Sequence, residues 1–270
     1  MVPSPDRRPA LRWAAMRAKR ARDAFEADHS HFWVDTDDGV RLSGTRIGST
    51  KDIAVVMAHG FLGWRTKPKW RLMAESLAER FTVFTFDLRG HGTSGGRCSG
   101  GELEYLDVHA VVHHARARGF GTVATVGSSL GAVAVLAEAA AFKDVDAVVS
   151  ISSPALWGAS PLRAAKRATW MMSNAVGRSI AYRVFGTEIG GTWGDPPPPA
   201  EVVEKIAPIP LWIVHGDDDH YFAQTDAELL FSRAGEPKRI SIIEGFGHAE
   251  DGFTPAFADD LAAGIDAMLV

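Results

Sequence analysis

From residue 31 onward, apolar runs of strand length alternate with segments of helical spacing. The stretch "HFWVDTDDGVRLSGTRIG" (31–48) reads as two strands around Asp37-Asp38-Gly39, a hairpin signal. The unbroken apolar run "IAVVMAHG" (53–60) predicts a buried strand, and "PKWRLMAESLAE" (68–79) has helical spacing with Pro68 near its start. A strand over 81–90, a helix over 100–119 capped by Gly119, and a strand over 122–127 come next. A helix over 129–141 and a strand over 146–152 complete this half. After Pro154 the rhythm breaks. Residues 155–207 show helical patterns around 161–184 and then four consecutive prolines, Pro196–Pro199, which favour a stiff extended segment. The rhythm resumes with a strand over 209–216, a helix over 223–235, a strand over 239–245 and a closing helix over 254–269. No internal repeat is apparent.

Strands alternating with helices predict a mostly parallel sheet covered on both faces, with the first hairpin adding antiparallel strands at one edge. Residues 155–207 read as an insertion over that core. In such sheets ligands bind beyond the carboxyl ends of the strands. Residues 1–30 stand apart: Arg7-Arg8 suggests a twin-arginine signal, but residues 9–28 keep placing Arg and Lys where an apolar core should be. They read as a basic amphipathic helix, with packing on the domain surface as its plain role and a membrane surface or partner as the other.

Composition narrows this picture. The chain has 270 residues, 46% hydrophobic and 23% charged, which suits one large α/β domain. A net charge of −4 supplies no global basic field for nucleic acid. No apolar run reaches the roughly 18 residues of a transmembrane helix, so no stable membrane insertion is expected. The single cysteine, Cys98, permits no internal disulfide, and a cytoplasmic location is the default expectation. The oligomeric state is not readable.

The candidate chemistry lies just after strands. Strand 122–127 runs directly into Gly127-Ser128-Ser129-Leu130-Gly131 and then an Ala-rich helix. This is either an ordinary tight turn or an elbow that raises Ser129 above the sheet as a nucleophile. A serine hydroxyl needs a base, and His248 sits in a glycine-rich loop between the last strand and the closing helix. The base needs an acid, for which Asp217, Asp218 and Asp219 all follow a buried strand. Backbone N–H groups of Phe61, after Gly60, and of Leu130 are candidate donors to an oxyanion.

Together, "AHGFLG", "FDLRGHGTSGG", "GSSLGA", "HGDDDHYF" and "GFGHAE" make residues 31–270 resemble an α/β-hydrolase. The resemblance implies a sheet of about eight strands with helices on both faces and a short helical lid, here about 155–207. It implies a serine-nucleophile, esterase- or lipase-like branch, because the dehalogenating members carry aspartate at the elbow. By the family's HG-x-x-D pattern, Asp219 matches the acid, with Ser129 the nucleophile and His248 the base. Asp87, Arg89 and His91 in "DLRGHGTSGG" are expected to be structural. The expected activity is cleavage of a small or medium apolar carboxylic ester through an acyl-enzyme, without cofactor or metal. Thioesterase, acyltransferase, peptidase or amidase, and C–C hydrolase chemistry use the same triad, and a non-catalytic receptor on this fold is the reading from another class.

Within the insertion, Trp157, Trp170 and Met171 are candidate pocket residues, with lid packing as the alternative. Its Arg163, Lys166, Arg167, Arg178 and Arg183 are spaced for a solvated helix face, with an anionic substrate as the sharper alternative. Two metal readings are weaker. His109 and His113 are four apart on a predicted helix, without an HExxH glutamate or an evident third ligand. His215, Asp219 and His220 form the second grouping, but the triad explains Asp219 better.

Overall fold

The computed structural model describes residues 25–48, 52–191 and 194–270. Among these, the strands are β1 (His29–Asp35), β2 (Arg41–Ile47), β3 (Ile53–Ala58), β4 (Thr82–Phe86), β5 (Thr122–Ser128), β6 (Ala147–Ile151), β7 (Leu211–Gly216) and β8 (Lys238–Ile243). They form one eight-stranded sheet in the order β1-β2-β4-β3-β5-β6-β7-β8. The predicted hairpin places Asp35 opposite Arg41, and β2 also pairs antiparallel with β4. All remaining pairs are parallel.

The helices are α1 (Pro68–Leu77), α2 (Glu104–Arg116), α3 (Leu130–Phe142), α4 (Arg163–Ser173), α5 (Ala175–Ile180), α6 (Pro199–Val202), α7 (Gln224–Arg233) and α8 (Pro255–Met268). Successive strand residues point to opposite faces, so a strand buried on both sides is apolar throughout. In β3, Val55 and Met57 join the layer of Trp70 and Met73 from α1 and Leu261 and Ile265 from α8. Ala54, Val56 and Ala58 join the opposite layer, with Val108 and Val111 from α2, Leu136 from α3 and Leu230 from α7. The α/β architecture with helices on both faces is therefore the one its sequence pattern predicts.

The departures have local causes. The helix expected from residue 100 begins at Glu104. Ahead of it, the Glu104 carboxylate accepts hydrogen bonds from Ser99 N (2.7 Å), Ser99 Oγ (2.6 Å) and Gly101 N (2.8 Å), which holds the chain in a turn. The strand expected over 81–90 stops at Phe86, because Asp87 turns into a buried ion pair with Arg65. The basic helix expected over 9–28 lies mostly outside the described residues; residues 25–28 form no helix, and β1 already begins at His29, inside the expected 1–30 segment. In the insertion, α4 and α5 lead into a π-helical turn, Ala181–Phe185. Of the four prolines, Pro198 is extended (φ −65°, ψ 152°) and Pro199 opens α6, where its missing N–H costs nothing.

Candidate active site

The junction of β5 and α3 has the strained geometry of an elbow. Ser129 sits at φ 52° and ψ −113°, a conformation that a residue with a side chain rarely adopts. Ser128, the last residue of β5, is 0% exposed, whereas Ser129 is only partly buried. The elbow thus presents the second serine of the pair. Two glycines allow the surrounding close approaches. A Cβ on Gly131 would lie 1.9 Å from Ala58 O, so only glycine lets the first turn of α3 press on the end of β3. A Cβ on Gly60 would lie 3.3 Å from Ser129 Cβ, so the loop carrying Phe61 runs directly beside the serine.

Asp219 and His248 are brought together from the loops after β7 and β8. His248 Nδ1 lies 2.8 Å from Asp219 Oδ2. The other oxygen, Asp219 Oδ1, accepts from Tyr221 N (2.7 Å) and Phe222 N (3.0 Å). Burial alone would raise the Asp219 pKa. The hydrogen bond and charge of His248, with the two backbone donors, outweigh it and hold the carboxyl below its ordinary value. Tyr221 packs on the imidazole with ring centroids 4.3 Å apart, and Phe222 meets it edge-on at 5.5 Å. Asp217 instead accepts from Gly245 N at 2.7 Å, a turn contact, and Asp218 is exposed.

The end of β6 ties the two halves together. Ser129 N donates to Ile151 O at 2.9 Å, and the adjacent Ser152 Oγ accepts from Ala249 N at 3.0 Å. The residue after His248 is therefore anchored next to the residue that holds Ser129. No hydrogen bond joins Ser129 Oγ to His248 among the described residues. Among the described residues, the non-glycine residues with positive φ are Leu62, Ser129, Lys143, Ser152 and Ala249, and all but Lys143 belong to this constellation. Ser152 is the site residue that sequence reasoning missed. Its signal, a serine closing the strand "DAVVSIS", is too common to separate from an ordinary strand end.

The Phe61 loop is braced by two buried imidazoles. His59 Nδ1 contacts Gly60 O at 2.8 Å and its Nε2 faces Leu88 N at 3.1 Å. His91 Nδ1 contacts Arg89 O at 2.9 Å and its Nε2 faces Leu62 N at 3.3 Å. Because backbone N–H groups can only donate, each Nε2 is an acceptor and each Nδ1 carries the proton. Burial, reinforced by repulsion from His91, pushes His59 down to about 3, and burial also lowers His91. The unfolded chain binds these protons first. For His59 the associated stability is full above about pH 6.5 and is lost progressively toward pH 3, at about 1.4 kcal/mol per pH unit. The His59 ring resonances are expected to stay fixed between about pH 8 and 5; a midpoint near the ordinary value of 6.5 would show that the ring is not the neutral brace described.

The first residue of α3 is Leu130, whose N–H has no partner within the helix. Phe61 N makes no backbone hydrogen bond among the described residues. Leu130 follows Ser129 directly, and Phe61 follows Gly60, whose Cβ position would lie 3.3 Å from Ser129 Cβ. Asp87, Arg89 and His91 are structural in their contacts: Arg89 pairs with Asp107 (2.8 Å) and Asp38 (2.7 Å), and Asp87 with Arg65.

The candidate pocket residues divide. Trp157 donates Nε1 to Pro196 O at 2.9 Å and its ring lies over Gly101, a packing role. Met171 is partly buried against the core, while Trp170 is 49% exposed. Arg163, Lys166, Arg167 and Arg183 are exposed, as on a solvated face. A cavity of about 460 Å³ lined by Leu103, Tyr105, Val133, Ala137, Pro197 and Val202 flanks α3, but Ser129, Asp219 and His248 do not line it. The two metal readings dissolve as drawn. His220 turns to Asp251, 3.7 Å away, and His109 faces Glu138 and Asp144 rather than sharing a ligand position with His113.

Residues 53–185 match the alpha/beta hydrolase fold family. The structure superposes on the Pyrococcus furiosus esterase Pf2001 with a TM-score of 0.70 at 18% identity, covering 100% of this chain and 96% of that one. The chain has the α/β-hydrolase fold. A second solved α/β hydrolase, GrgF from Penicillium sp. sh18, is similar with a TM-score of 0.70 at 20% identity, over 89% of this chain and 98% of that one. By sequence, this α/β hydrolase is 27% identical over 247 residues to "Uncharacterized protein YfhR" of Escherichia coli O157:H7, spanning 88% of this chain and 77% of the relative. Among the described residues no helix is long and apolar enough to cross a membrane.

Proposed function

We propose that this α/β hydrolase cleaves carboxylic esters of small or medium apolar acyl groups through an acyl-enzyme. One observation carries the reading: a strained, accessible Ser129 is tied through Ile151 and Ser152 to the loop bearing His248, which is paired with Asp219. In this scheme Ser129 Oγ attacks the ester carbonyl as His248 Nε2 takes its proton. The oxyanion is received by the N–H groups of Phe61 and Leu130. Collapse breaks the ester C–O bond, and His248 returns the proton to the leaving alkoxide. Water, deprotonated by His248, then attacks the acyl-serine and regenerates the hydroxyl. Asp219 keeps the Nδ1 proton in place and balances the imidazolium.

Similarity to a protein named as an esterase supports the choice of bond. The insertion of residues 155–207 serves in this reading as a lid that excludes water and limits acyl length. The test is a panel of p-nitrophenyl esters, acyl-CoAs and aminoacyl amides with wild type and Ser129→Ala. Turnover of the short and medium esters, lost in the variant, is the expected result. Preference for acyl-CoAs or amides would move the assignment to thioester or amide cleavage, and tight binding without turnover would make the protein a receptor. Trp170→Ala is expected to shift the chain-length profile while leaving Tm within about 2 °C, as an exposed site allows. An unchanged profile would remove Trp170 from substrate selection.

A further inference from the structure

A second cluster of ligand-type side chains lies away from the serine, where α2, α3 and the turn after α3 meet. His109 comes from α2, Glu138 from α3 and Asp144 from the turn. One ligand atom from each lies within 4.8 Å of the other two. His109 Nδ1 is 3.1 Å from Asp144 Oδ2 and 3.6 Å from Glu138 Oε1. These contacts lack hydrogen-bond geometry: His109 Nδ1, both Glu138 oxygens and Asp144 Oδ1 are buried without a hydrogen-bond partner among the described residues. The Glu138 side chain is 0% exposed.

A carboxylate shut away from water, with neither oxygen receiving a hydrogen bond, is strongly unfavourable unless it holds a proton or meets a cation. In the metal-free protein burial and the neighbouring Asp144 push Glu138 up to about 10, so it holds a proton there; the spacing also suits a cation that displaces that proton. Donors bound at about 2.0–2.2 Å in a tetrahedron stand roughly 3.3–3.6 Å from one another. The two separations measured from His109 Nδ1 are 3.1 Å, slightly inside that range, and 3.6 Å, at its upper end. One imidazole nitrogen with two carboxylate oxygens is a donor set suited to a divalent ion of the zinc class. Phe142 stacks on the His109 ring at 3.6 Å and an interplanar angle of 12°, which fixes the direction of the imidazole. Asp144 is 31% exposed, so water can reach a fourth position.

We propose that His109, Glu138 and Asp144 bind one divalent transition-metal ion of the zinc class, with water as the fourth ligand. Glu138 lies roughly 12 Å along the helix axis from Leu130, at about 1.5 Å per residue, so the ion does not touch substrate at Ser129. It clamps the end of α3 to α2. The sequence spacing of His109 and His113 points to a helix-face pair. The partners that complete the set lie on another helix and the turn beyond it, which spacing within one segment does not reveal.

The test uses the full chain, stripped with EDTA, dialysed and titrated with zinc chloride by calorimetry and thermal melting, alongside Asp144→Asn and Glu138→Gln. Wild type is expected to take up one ion more tightly than any remaining histidine site and to gain about 5 °C in Tm at saturation. Asp144→Asn should weaken that ion by at least about tenfold, the scale of loss seen even for groups one step removed from a metal. Equal affinity and equal Tm gain in wild type and Asp144→Asn would overturn the proposal. So would a metal-free wild type accompanied by a more stable Glu138→Gln, the signature of a buried neutral acid. If Glu138→Gln does not fold, Asp144→Asn, altered at a partly exposed position, decides alone. Neither readout depends on ester turnover, so the outcome is separate from that of the serine chemistry.

Discussion

Ser129→Ala is expected to abolish labelling by a fluorophosphonate and to lower ester turnover by about a millionfold, the scale on which loss of a serine nucleophile is felt. The size reflects how little else in the site can attack a carbonyl. Removing Oγ leaves the proposed oxyanion donors, the N–H groups of Phe61 and Leu130, in place, so substrate is still expected to bind, but no acyl-enzyme should form. The backbone of Ser129 is held by Ile151 O, not by the side chain, and the variant should keep its fold. Ser128→Ala is the control for register. Its hydroxyl is buried and without a hydrogen-bond partner among the described residues, so its loss should leave labelling intact. Labelling that survives in Ser129→Ala and disappears in Ser128→Ala would place the nucleophile one residue earlier.

Asp219→Asn is expected to reduce turnover by about 10⁴-fold with little change in Tm. The cause is the direction in which the new amide must point. Tyr221 N and Phe222 N both donate to Oδ1, a position that an asparagine oxygen fills and an NH2 group cannot. The amide NH2 is then forced against His248 Nδ1. Two donors cannot face each other, so the imidazole proton moves to Nε2, the nitrogen that must act as base. Asp217→Asn retains an acceptor for Gly245 N and Asp218→Asn alters an exposed group, so both should stay near wild-type rates. Comparable losses at all three positions would point to a structural turn instead of a single acid.

The fold was legible because its central strands are buried on two faces. Runs such as "IAVVMA" and "LWIVHG" carry that burial as uninterrupted apolar text, and the helices between them carry the spacing of one buried stripe. Boundaries were less legible where a charged side chain, not the apolar pattern, decides the backbone. Glu104 and Asp87 are such cases: each ends or delays an element by accepting bonds from residues outside it. At the site, Ser129, Asp219 and His248 are visible because each comes after a strand with glycines beside it. Ser152 has no such marker, since its role depends on the left-handed φ of 53° that tertiary contacts impose. The Glu138 and Asp144 pairing with His109 is likewise a product of helix packing, which no single window of sequence contains.

The anchoring of the site at Ile151 and Ser152 bears on how such a protein changes its diet. Both anchor bonds are made before the chain leaves the sheet for the segment beginning at residue 155. That segment is partly built into the domain: Ala181, Ile189, Ala200, Val203 and Ile206 are buried in the core, and Ser160 Oγ donates to Tyr221 O, two residues from Asp219. The part open to exchange is the mostly exposed α4, where substitution is expected to leave the strands and turns that hold Ser129, His248 and Asp219 where they are. Under the proposed lid role, a chimera carrying a foreign helix there is expected to combine the donor's acyl-length preference with the recipient's chemistry.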